Sequence, residues 1–408
     1  MATRASWPSL CIAAVVACVL AGGCAQYDVV RLAGDETAGR NNGTPGSALA
    51  RQFLIDQLTP ISTGLNTAET GDAAYTQTLP GGTNVVSVIP GTDLADQYVV
   101  VGAHYDHLGS SCQYKSSGDA ICNGATDNAA GAAAVLAIAR SIAAQPVKPR
   151  RSVVLALWDQ EEDGLVGSRH YVDHPLVPLA DTVGYVNFDI QGANLLPSLR
   201  NTSFAIATET GGDRFEQIVR SAINAQALDT ETLSSIFGQN RSDYVSFLSK
   251  QVPSVFFTDA TGPCYHTNDD EVGVVDFGKL GQQIAIALRV TRELANTATP
   301  PTFTPGTPLV TYADAVVLQR VMELVWRDRD RFSAEDQQTL DTIRADLTRI
   351  VLDGRAAFGG DDVGTVLGHA ATVVISLLPK GECDGFLRPA DQQQARALED
   401  FALQPASP

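Results

Sequence analysis

Short apolar runs recur along the first two thirds of the chain, and most of them are apolar throughout rather than alternating with polar positions. Continuous apolar runs of about four to eight residues are typical of strands that are covered on both faces of a sheet. We therefore predict strands at these positions. The runs lie at 85–89, 98–104, 152–158, 183–190, 204–208 and 254–257.

Stretches with helical spacing of apolar residues lie before and between these runs. The first covers 46–58, where Leu49, Phe53 and Leu58 are predicted to share one helix face. Strands that alternate with helices favour an α/β fold with a mixed, mainly parallel central sheet sandwiched by helices. The other predicted helices lie at 128–144, 165–172, 214–227 and 276–294.

A proline- and threonine-rich stretch at 298–309 predicts a linker, and the residues that follow, 310–408, have a helical pattern. One helix is predicted after Ser333, a capping residue, and is expected to end at Gly354. The apolar run 366–378 is short for a membrane span and predicts a buried helix. The apolar positions on one face of the helix after Ser333 are Leu340, Ile343, Leu347 and Ile350.

The first 24 residues have the pattern of an export signal. Arg4 precedes an apolar run from Leu10 to Leu20, and small residues follow up to Cys24. The sequence LAGGC resembles a bacterial lipobox, which implies a lipidated Cys24 and attachment to a membrane of the cell envelope. The alternative is ordinary signal cleavage nearby, which gives a periplasmic or secreted protein. Either reading predicts export.

Four cysteines remain after this leader, and an even number in an oxidising compartment favours disulfides. Cys112 and Cys122 bracket a short polar loop and are predicted to pair. Cys264 and Cys383 are then left as a second pair, although nothing in the sequence fixes their geometry.

The chain carries 46 acidic and 28 basic residues, a net charge of −18. A protein that binds nucleic acid needs the opposite field, so we expect no nucleic-acid partner. An acidic surface is enough to keep an exported protein soluble.

Side chains suited to metal binding or proton transfer stand at or just after the ends of the predicted strands. Since ligands of such sheets bind beyond the carboxyl ends of the strands, we predict that these residues form one site. Two imidazoles with several carboxylates and no thiolate favour a pair of divalent ions over a closed structural zinc site, and therefore an enzyme. The residues are His104, Asp106, Asp127, Glu161, Glu162, Asp189 and His266.

Hydrolysis of an amide needs an activated water and a stabilised oxyanion, and two zinc ions can supply both. One carboxylate must then bridge the ions, and a further carboxylate must accept the proton of the water. The residues above include enough ligands for two ions and one spare base.

The blocks HYDH, TDNAAG, EEDGLVGS, NFDIQG and YHTNDD occur in this order and resemble those of the co-catalytic di-zinc aminopeptidases of the aminopeptidase S and aminopeptidase Y type, clan MH. The resemblance covers about residues 45–295. It implies that His104 and Asp189 hold one zinc ion and that Glu162 and His266 hold the other. Asp127 would bridge them, followed by a cis peptide bond.

The same resemblance implies three further roles. Glu161 would be the general base that later protonates the leaving amine. Asp106 would accept the ring N–H of His104 and fix its tautomer. Tyr265 would help to polarise the scissile carbonyl. Apart from the resemblance, we expect Ile190 and Phe237 to contribute to an apolar pocket for the substrate side chain.

The sequence therefore predicts a zinc-dependent aminopeptidase with a catalytic domain at 25–297, acting on peptide or protein N-termini. It leaves the oligomeric state open. The alternatives are a single-zinc glutaminyl cyclase, a dipeptidase or carboxypeptidase on the same scaffold, and a non-catalytic relative. The complete ligand set disfavours the last.

Several polar residues near these blocks are predicted to have no part in the chemistry. His107 is expected at the rim of the site, and residues 269–271 are expected to form a solvated acidic loop. His170 and His174 are predicted at an exposed helix end. Tyr244 stands where the family often has a histidine, which puts a role for that position in doubt.

Overall fold

The computed structural model describes residues 23–113, 119–389 and 391–393, and within these residues a nine-stranded mixed sheet forms the centre of the molecule. The spatial order is β1-β3-β5-β4-β6-β9-β7-β8, with β2 paired to β3. The strands are β1 Thr63–Gly64, β2 Thr76–Leu79, β3 Gly82–Ile89, β4 Leu94–His104, β5 Arg151–Trp158, β6 Thr182–Phe188, β7 Thr202–Ile206, β8 Asp229–Leu233 and β9 Ser254–Thr258.

The centre of the sheet is parallel and its flanks contain antiparallel pairs. Strand β4 pairs in parallel with β5 and β6, and β6 pairs in parallel with β9. Antiparallel pairing occurs between β3 and β5 and between β7 and β9. In the register of the central strands, His104 lies opposite Trp158 and Ala103 lies opposite Phe188. The ends of β4, β5 and β6 are therefore level.

Helices cover both faces of this sheet, which confirms the predicted α/β sandwich. One apolar core contains side chains of α1, α2, α3, α5 and α7, and the other contains side chains of α4, α6, α8, α9 and α10. The helices are α1 Gly23–Leu32, α2 Pro45–Leu58, α3 Ala130–Ala143, α4 Val166–Asp173, α5 Gly212–Ile223, α6 Tyr244–Leu248, α7 Phe277–Asn296, α8 Tyr312–Val325, α9 Ala334–Asp353 and α10 Gly360–Ala371.

Each predicted strand and helix of the first 297 residues overlaps an observed element. Strands β1, β2 and β8 and helices α1 and α6 have no predicted counterpart, and the buried face of α2 differs from its prediction. Strands β2 and β8 are short and rich in threonine, so they lack the apolar run used to find the others. In α2, Leu49 is 56% exposed, whereas Leu54 and Ile55 are buried with Leu58. The predicted inner face of this helix is therefore wrong by about one position.

The helix predicted after Ser333 is present as α9. The Ser333 side chain accepts a hydrogen bond from the Asp336 N–H at 3.2 Å, and Gly354 ends the helix. The four apolar residues predicted on one face are all buried. They pack in the same core as residues of β7 and β8, so the C-terminal helices share apolar contacts with the sheet. Residues 297–311, which include the predicted linker, contain neither helix nor strand.

The apolar run at 366–378 differs from its prediction. Helix α10 continues into a wider π-type turn, Thr372–Leu377, and Ile375 is 56% exposed while Val373 and Leu377 are buried. The prediction of a buried helix is therefore wrong at Ile375, although Val373 and Leu377 are buried. Residues Gly360–Lys380 are also, by length and composition alone, the one stretch of helix in the described residues that could cross a membrane. Such a single helix is weak evidence for a span.

Both predicted disulfides are present, Cys112–Cys122 and Cys264–Cys383. Disulfides persist in oxidising compartments, which points to an extracellular or secreted protein. Residues 1–22 of the predicted signal lie outside the described residues, and Cys24 lies in α1.

Candidate metal centre

Three of the predicted blocks meet at the carboxyl ends of the central strands. His104 is the last residue of β4, Glu161 and Glu162 follow β5, and Asp189 follows β6. Because these parallel strands end at the same level, their side chains converge as the sequence predicted. The other two blocks reach the same place from loops, with Asp127 in the turn before α3 and His266 in the loop after β9.

The His104 ring faces carboxylates on several sides. Its Nε2 lies 3.3 Å from Asp127 Oδ1, 3.3 Å from Asp189 Oδ1 and 4.0 Å from Glu161 Oε2. The ring is almost fully buried. Burial alone would lower the pKa of His104, but the charges of Glu161 and Asp189 outweigh it and raise this pKa well above its usual range.

The His266 ring faces the other side of Asp127. Its Nε2 lies 2.9 Å from Glu162 Oε2 and 3.4 Å from Asp127 Oδ2. Burial opposes protonation of this ring, but its hydrogen bonds with Asp127 and Glu162 raise the pKa of His266 to about 10. Asp127 therefore directs one carboxylate oxygen toward each histidine.

The loop that carries Asp127 is held by Asp270. The Asp270 carboxylate accepts hydrogen bonds from the backbone N–H of Thr126 at 2.9 Å and of Asp127 at 3.0 Å. It also accepts one from the Thr126 hydroxyl at 2.8 Å. The side chain is 0% exposed, so the prediction of a solvated acidic loop is wrong at this residue. The Asp127–Asn128 peptide bond is cis, as the resemblance implies.

The two adjacent glutamates have opposite protonation tendencies. Burial raises the pKa of Glu161 well above its usual range. Burial also works against ionisation of Glu162, but hydrogen bonds from His107 and His266 outweigh it and lower the pKa of Glu162 to about 2. A pair of carboxyl groups whose pKa values are pushed apart is typical of sites where one binds and the other transfers protons.

Asp106 supports these glutamates as well as His104. Its carboxylate accepts hydrogen bonds from the backbone N–H of Glu161 at 3.1 Å and of Glu162 at 3.3 Å. His104 Nδ1 lies 3.2 Å from the Asp106 carbonyl oxygen and 3.6 Å from its carboxylate. The contact between the ring and the carboxylate is thus longer than a hydrogen bond, and the main-chain oxygen is the nearer acceptor.

His107 is buried rather than placed at the rim. It is 1% exposed, and its Nδ1 lies 2.8 Å from Glu162 Oε1. The rim prediction is therefore wrong, and the sequence signal that could have corrected it is the HYDH block itself, in which His107 follows Asp106 directly. Together with Asp127 and Glu162, His107 forms one of the groups of side chains close enough to hold an ion.

Arg40 was not singled out in the sequence, yet it lies beneath this site. The guanidinium is fully buried and donates to the carbonyl oxygens of Tyr105 at 2.8 Å, Asn123 at 2.6 Å and Gly124 at 3.0 Å, and also to that of Leu32. Burial lowers the pKa of Arg40 to about 10, against the pull of the site carboxylates. It links the N-terminal residues to the loops that precede Asp106 and Asp127. A single arginine carries no sequence signal of this role.

Tyr265 lies over the His266 ring, with centroids 3.7 Å apart, and its hydroxyl accepts a hydrogen bond from Arg241 at 2.9 Å. Burial raises its pKa. Tyr265, Ile190 and Phe237 line one cavity with Asp127 and the glutamates.

Tyr244, by contrast, is buried, stacks on Phe256 and donates to the Ser235 carbonyl oxygen, so it does not reach this cavity. His170 and His174 stack on each other at the exposed end of α4, as predicted.

Three residues with left-handed backbone conformations lie at the same place. Gln160, Ile190 and His266 adopt left-handed conformations with φ of 58°, 60° and 55°. Each adjoins or belongs to a predicted ligand or base, and left-handed conformations of such residues cost about 1–3 kcal/mol each unless the surroundings hold them. Strain of this kind collects at functional sites.

The chemistry of these residues fits bound divalent ions. His104, Asp127 and Asp189 bring ligand atoms within 4.8 Å of one another, as do His104, Glu161 and Glu162. The His266 Nε2 atom lies 2.9 Å from Glu162 Oε2 and 3.4 Å from Asp127 Oδ2, close enough for all three to hold one ion. Clustered imidazole and carboxylate donors of this kind suit zinc.

Comparisons with known proteins point to one family. A family model described as Peptidase family M28 matches residues 84–291, just over half of the chain. Among curated proteins, the chain is similar to the probable glutamate carboxypeptidase AMP1 of Arabidopsis thaliana, at 29% identity over 46% of this chain and 26% of that protein. The chain thus spans about a quarter of the length of this relative.

Solved structures share the fold. The LapA aminopeptidase of Legionella pneumophila superimposes with a TM-score of 0.55 at 19% identity, covering 70% of this chain and 74% of that one. The glutaminyl cyclase of Porphyromonas gingivalis superimposes with a TM-score of 0.54 at 16% identity, covering 67% and 98%. Both similarities concern the fold, whereas the family match covers every predicted ligand from His104 to His266. The chain belongs to peptidase family M28.

Proposed function

We propose that this protein is an exported, zinc-dependent aminopeptidase that removes the N-terminal residue of peptides with the help of two zinc ions. The observation that carries the proposal is the position of Asp127, whose two carboxylate oxygens lie 3.3 Å from His104 Nε2 and 3.4 Å from His266 Nε2. A carboxylate between two histidines of separate blocks is the arrangement that a bridging ligand requires.

Around this carboxylate, each proposed ion has its own donors. His104 and Asp189 stand on one side, and Glu162 and His266 stand on the other. His107 holds Glu162 through Oε1 and leaves Oε2 facing His266. When bound, the ions would lower the pKa of a water molecule and polarise the scissile carbonyl.

Glu161 is the proposed general base. Its buried carboxyl group has a raised pKa, so it can accept a proton from water and return it to the leaving amine. The Asp106 carboxylate fixes the loop of Glu161 through its backbone N–H. Tyr265 is proposed to donate a hydrogen bond to the scissile carbonyl, and Glu161 and Asp189 to hold the substrate ammonium group.

Two other functions, those of a carboxypeptidase and of a glutaminyl cyclase, each have one observation in their favour. The plant relative is named a carboxypeptidase, and the metal-ligand residues alone do not choose which end of a peptide is read. The cyclase shares the fold at nearly the same TM-score as the aminopeptidase, so the fold does not separate them. The presence of donors on both sides of Asp127 favours two ions and therefore the peptidase.

The test uses protein that begins after Cys24. Cleavage of a leucine-leading peptide is compared with that of its N-acetylated and its C-amidated forms, before chelation, after chelation and after zinc is restored. Metal-dependent cleavage that is blocked by acetylation alone supports an aminopeptidase. Blockage by amidation alone would instead assign a carboxypeptidase. Release of ammonia from an N-terminal glutamine peptide, with one zinc per chain, would assign a cyclase.

We also propose that the mature protein is attached to the cell envelope through a lipidated Cys24. The small residues before Cys24 and the two disulfides support export. Mass spectrometry of the N-terminal peptide from the native host tests it, since an unmodified N-terminus elsewhere would contradict lipidation.

A further inference from the structure

Two cavities adjoin each other at the carboxyl ends of the strands. The first, the site cavity, measures about 70 Å³ and has Asp127, Glu161, Glu162 and Asp189 in its wall. The second, the apolar cavity, also measures about 70 Å³ and lies between β7, β8 and the C-terminal helices. Among the described residues, the lining of the apolar cavity is hydrophobic apart from Gln239 and His369.

In the C-terminal segment, of which the structure describes residues 310–389 and 391–393, one described residue contributes to the wall between the two cavities. Ile206 comes from β7, and Phe237, Gln239 and Ala260 come from loops of the catalytic domain, whereas Val374 belongs to the turn after α10. The side chains that line both cavities are Ile206, Phe237, Gln239, Ala260 and Val374.

Val374 is held in place on both sides. The Thr261 hydroxyl donates to the Val374 carbonyl oxygen at 3.2 Å, and Thr261 itself lines the site cavity. The neighbouring side chain of Val373 is buried in the core beside the sheet. Farther along, the Cys264–Cys383 disulfide joins the C-terminal segment to the loop that carries His266. Val374 therefore belongs to a fixed wall rather than to a loose flap.

We propose that Val374 is a specificity-determining residue that closes the inner end of the pocket for an apolar terminal side chain of the substrate. The inference rests on the proposed function, which places the terminal residue of a peptide beside Asp127 and Glu161. A straight-chain apolar side chain that passes Phe237 meets Val374, and the apolar cavity lies directly behind it. A charged side chain that entered the apolar cavity would lose its water among mostly hydrophobic side chains.

The size of Val374 should then set the longest side chain that fits. Val374→Ala joins the two cavities and should admit longer chains, whereas Val374→Phe should shorten the pocket. Since one methylene group in an apolar pocket changes discrimination by about tenfold or more, the effects are measurable. Ile375→Ala is the matched control, because Ile375 is the next residue, is 56% exposed and lines neither cavity.

The experiment measures binding of L-norvaline, L-norleucine and L-2-aminooctanoic acid to the zinc-loaded protein by calorimetry, together with cleavage of their anilides. Val374→Ala should raise the preference for the eight-carbon ligand over norvaline by about tenfold. Val374→Phe should lower it, and Ile375→Ala should match the parent. Thermal unfolding of each variant confirms that it is folded.

Equal binding ratios in the parent and both Val374 variants would overturn the inference, even if all of them cleave the anilides. Binding ratios that shift as expected without cleavage of any free-amine substrate would instead support the pocket and overturn the proposed aminopeptidase activity. Because the ligands report binding and the anilides report turnover, the two failures are distinguishable.

Discussion

The metal-ligand end of the sheet and the C-terminal helical segment, residues 310–389, are built from different kinds of contact. At the metal-ligand end, buried carboxylates and imidazoles contact one another, and Asp106 and Asp270 hold the loops by accepting backbone hydrogen bonds. The C-terminal segment instead shares an apolar core with the sheet, in which Leu340 and Leu347 are buried, and adds ion pairs such as that of Arg320 with Glu231 of β8 at 2.8 Å.

This difference teaches which property each region controls. At the metal-ligand end, individual carboxylate oxygens are proposed to accept a proton or to bind an ion. Replacement of such a carboxyl group should therefore change turnover more than folding. An apolar contact surface can be rebuilt by many side chains of suitable volume, so replacements there should change stability and selectivity more than chemistry. Substitutions in the two regions should therefore have separable effects.

The largest expected effect is at Glu161. Glu161→Gln keeps the size of the side chain and removes its ability to accept a proton, so kcat should fall by about 10²–10⁴-fold. Zinc content and thermal stability should stay near those of the parent. Steady-state kinetics with metal analysis checks both, and Asp163→Asn, at an exposed position two residues away, is the control. Parent-like turnover in Glu161→Gln would show that the base lies elsewhere.

Arg40 sharpens the comparison because it lies outside the family match but supports the metal-ligand end. Arg40→Met leaves the carbonyl oxygens of Tyr105, Asn123 and Gly124 without their donor and removes a buried positive charge beside the carboxylates. We expect the free energy of unfolding to fall by about 3–5 kcal/mol, measured in urea. Arg40→Lys keeps the charge but not the set of hydrogen bonds, so its free energy of unfolding should lie between those of the parent and Arg40→Met. A loss confined to metal affinity, with stability unchanged, would contradict this role.

The disulfide between the two regions is the next test. Removing Cys264–Cys383 by the double change to serine opens a loop of sequence separation 119, and should cost about 2–4 kcal/mol in unfolding free energy. The Cys112–Cys122 pair has a separation of 10, so its double serine variant should lose less. Zinc should remain bound in both. An equal loss in the two variants would show that loop length does not govern the effect.

The sequence predicted which residues meet at the metal-ligand end better than it predicted the residues that support them, and the reason is physical. His104, Asp127 and His266 are residue types that zinc chemistry requires, in blocks whose order is distinctive. Asp270 and His107 belong to the same blocks, but their burial depends on how loops fold over the site, which spacing does not reveal. Arg40 lies 64 residues before His104 in the chain, and only the fold brings it near.

The C-terminal segment shows the opposite case. Helix α9 was predictable with its cap and its apolar face, because local signals specify a helix. The position of Val374 beside the site was not, since a valine in an apolar run looks the same whether it faces a core, a solvent or a substrate. Strands β2 and β8 were not predicted for a related reason. They form because they pair with β3 and β7, whereas their threonine-rich sequences do not specify a strand by themselves.

The smallest expected effect concerns Glu271, in the loop between His266 and α7. Burial raises the pKa of Glu271 from near 4.5 to about 8, against a hydrogen bond from Asn123 and with the nearby charge of Asp270 adding to the rise. The folded protein therefore keeps this proton while the unfolded chain loses it, so stability should fall as pH rises from about 4.5 to about 8. Glu271→Gln has no proton to lose, and its unfolding free energy should vary less with pH over this range. Urea unfolding of chelator-treated protein measures the slope without a contribution from metal, with the exposed Glu335→Gln as control. If unfolding free energy has the same slope against pH in the parent and in Glu271→Gln, the Glu271 carboxyl group is already ionised in the folded protein. The loop beside the metal-ligand end would then tolerate a negative charge despite its burial.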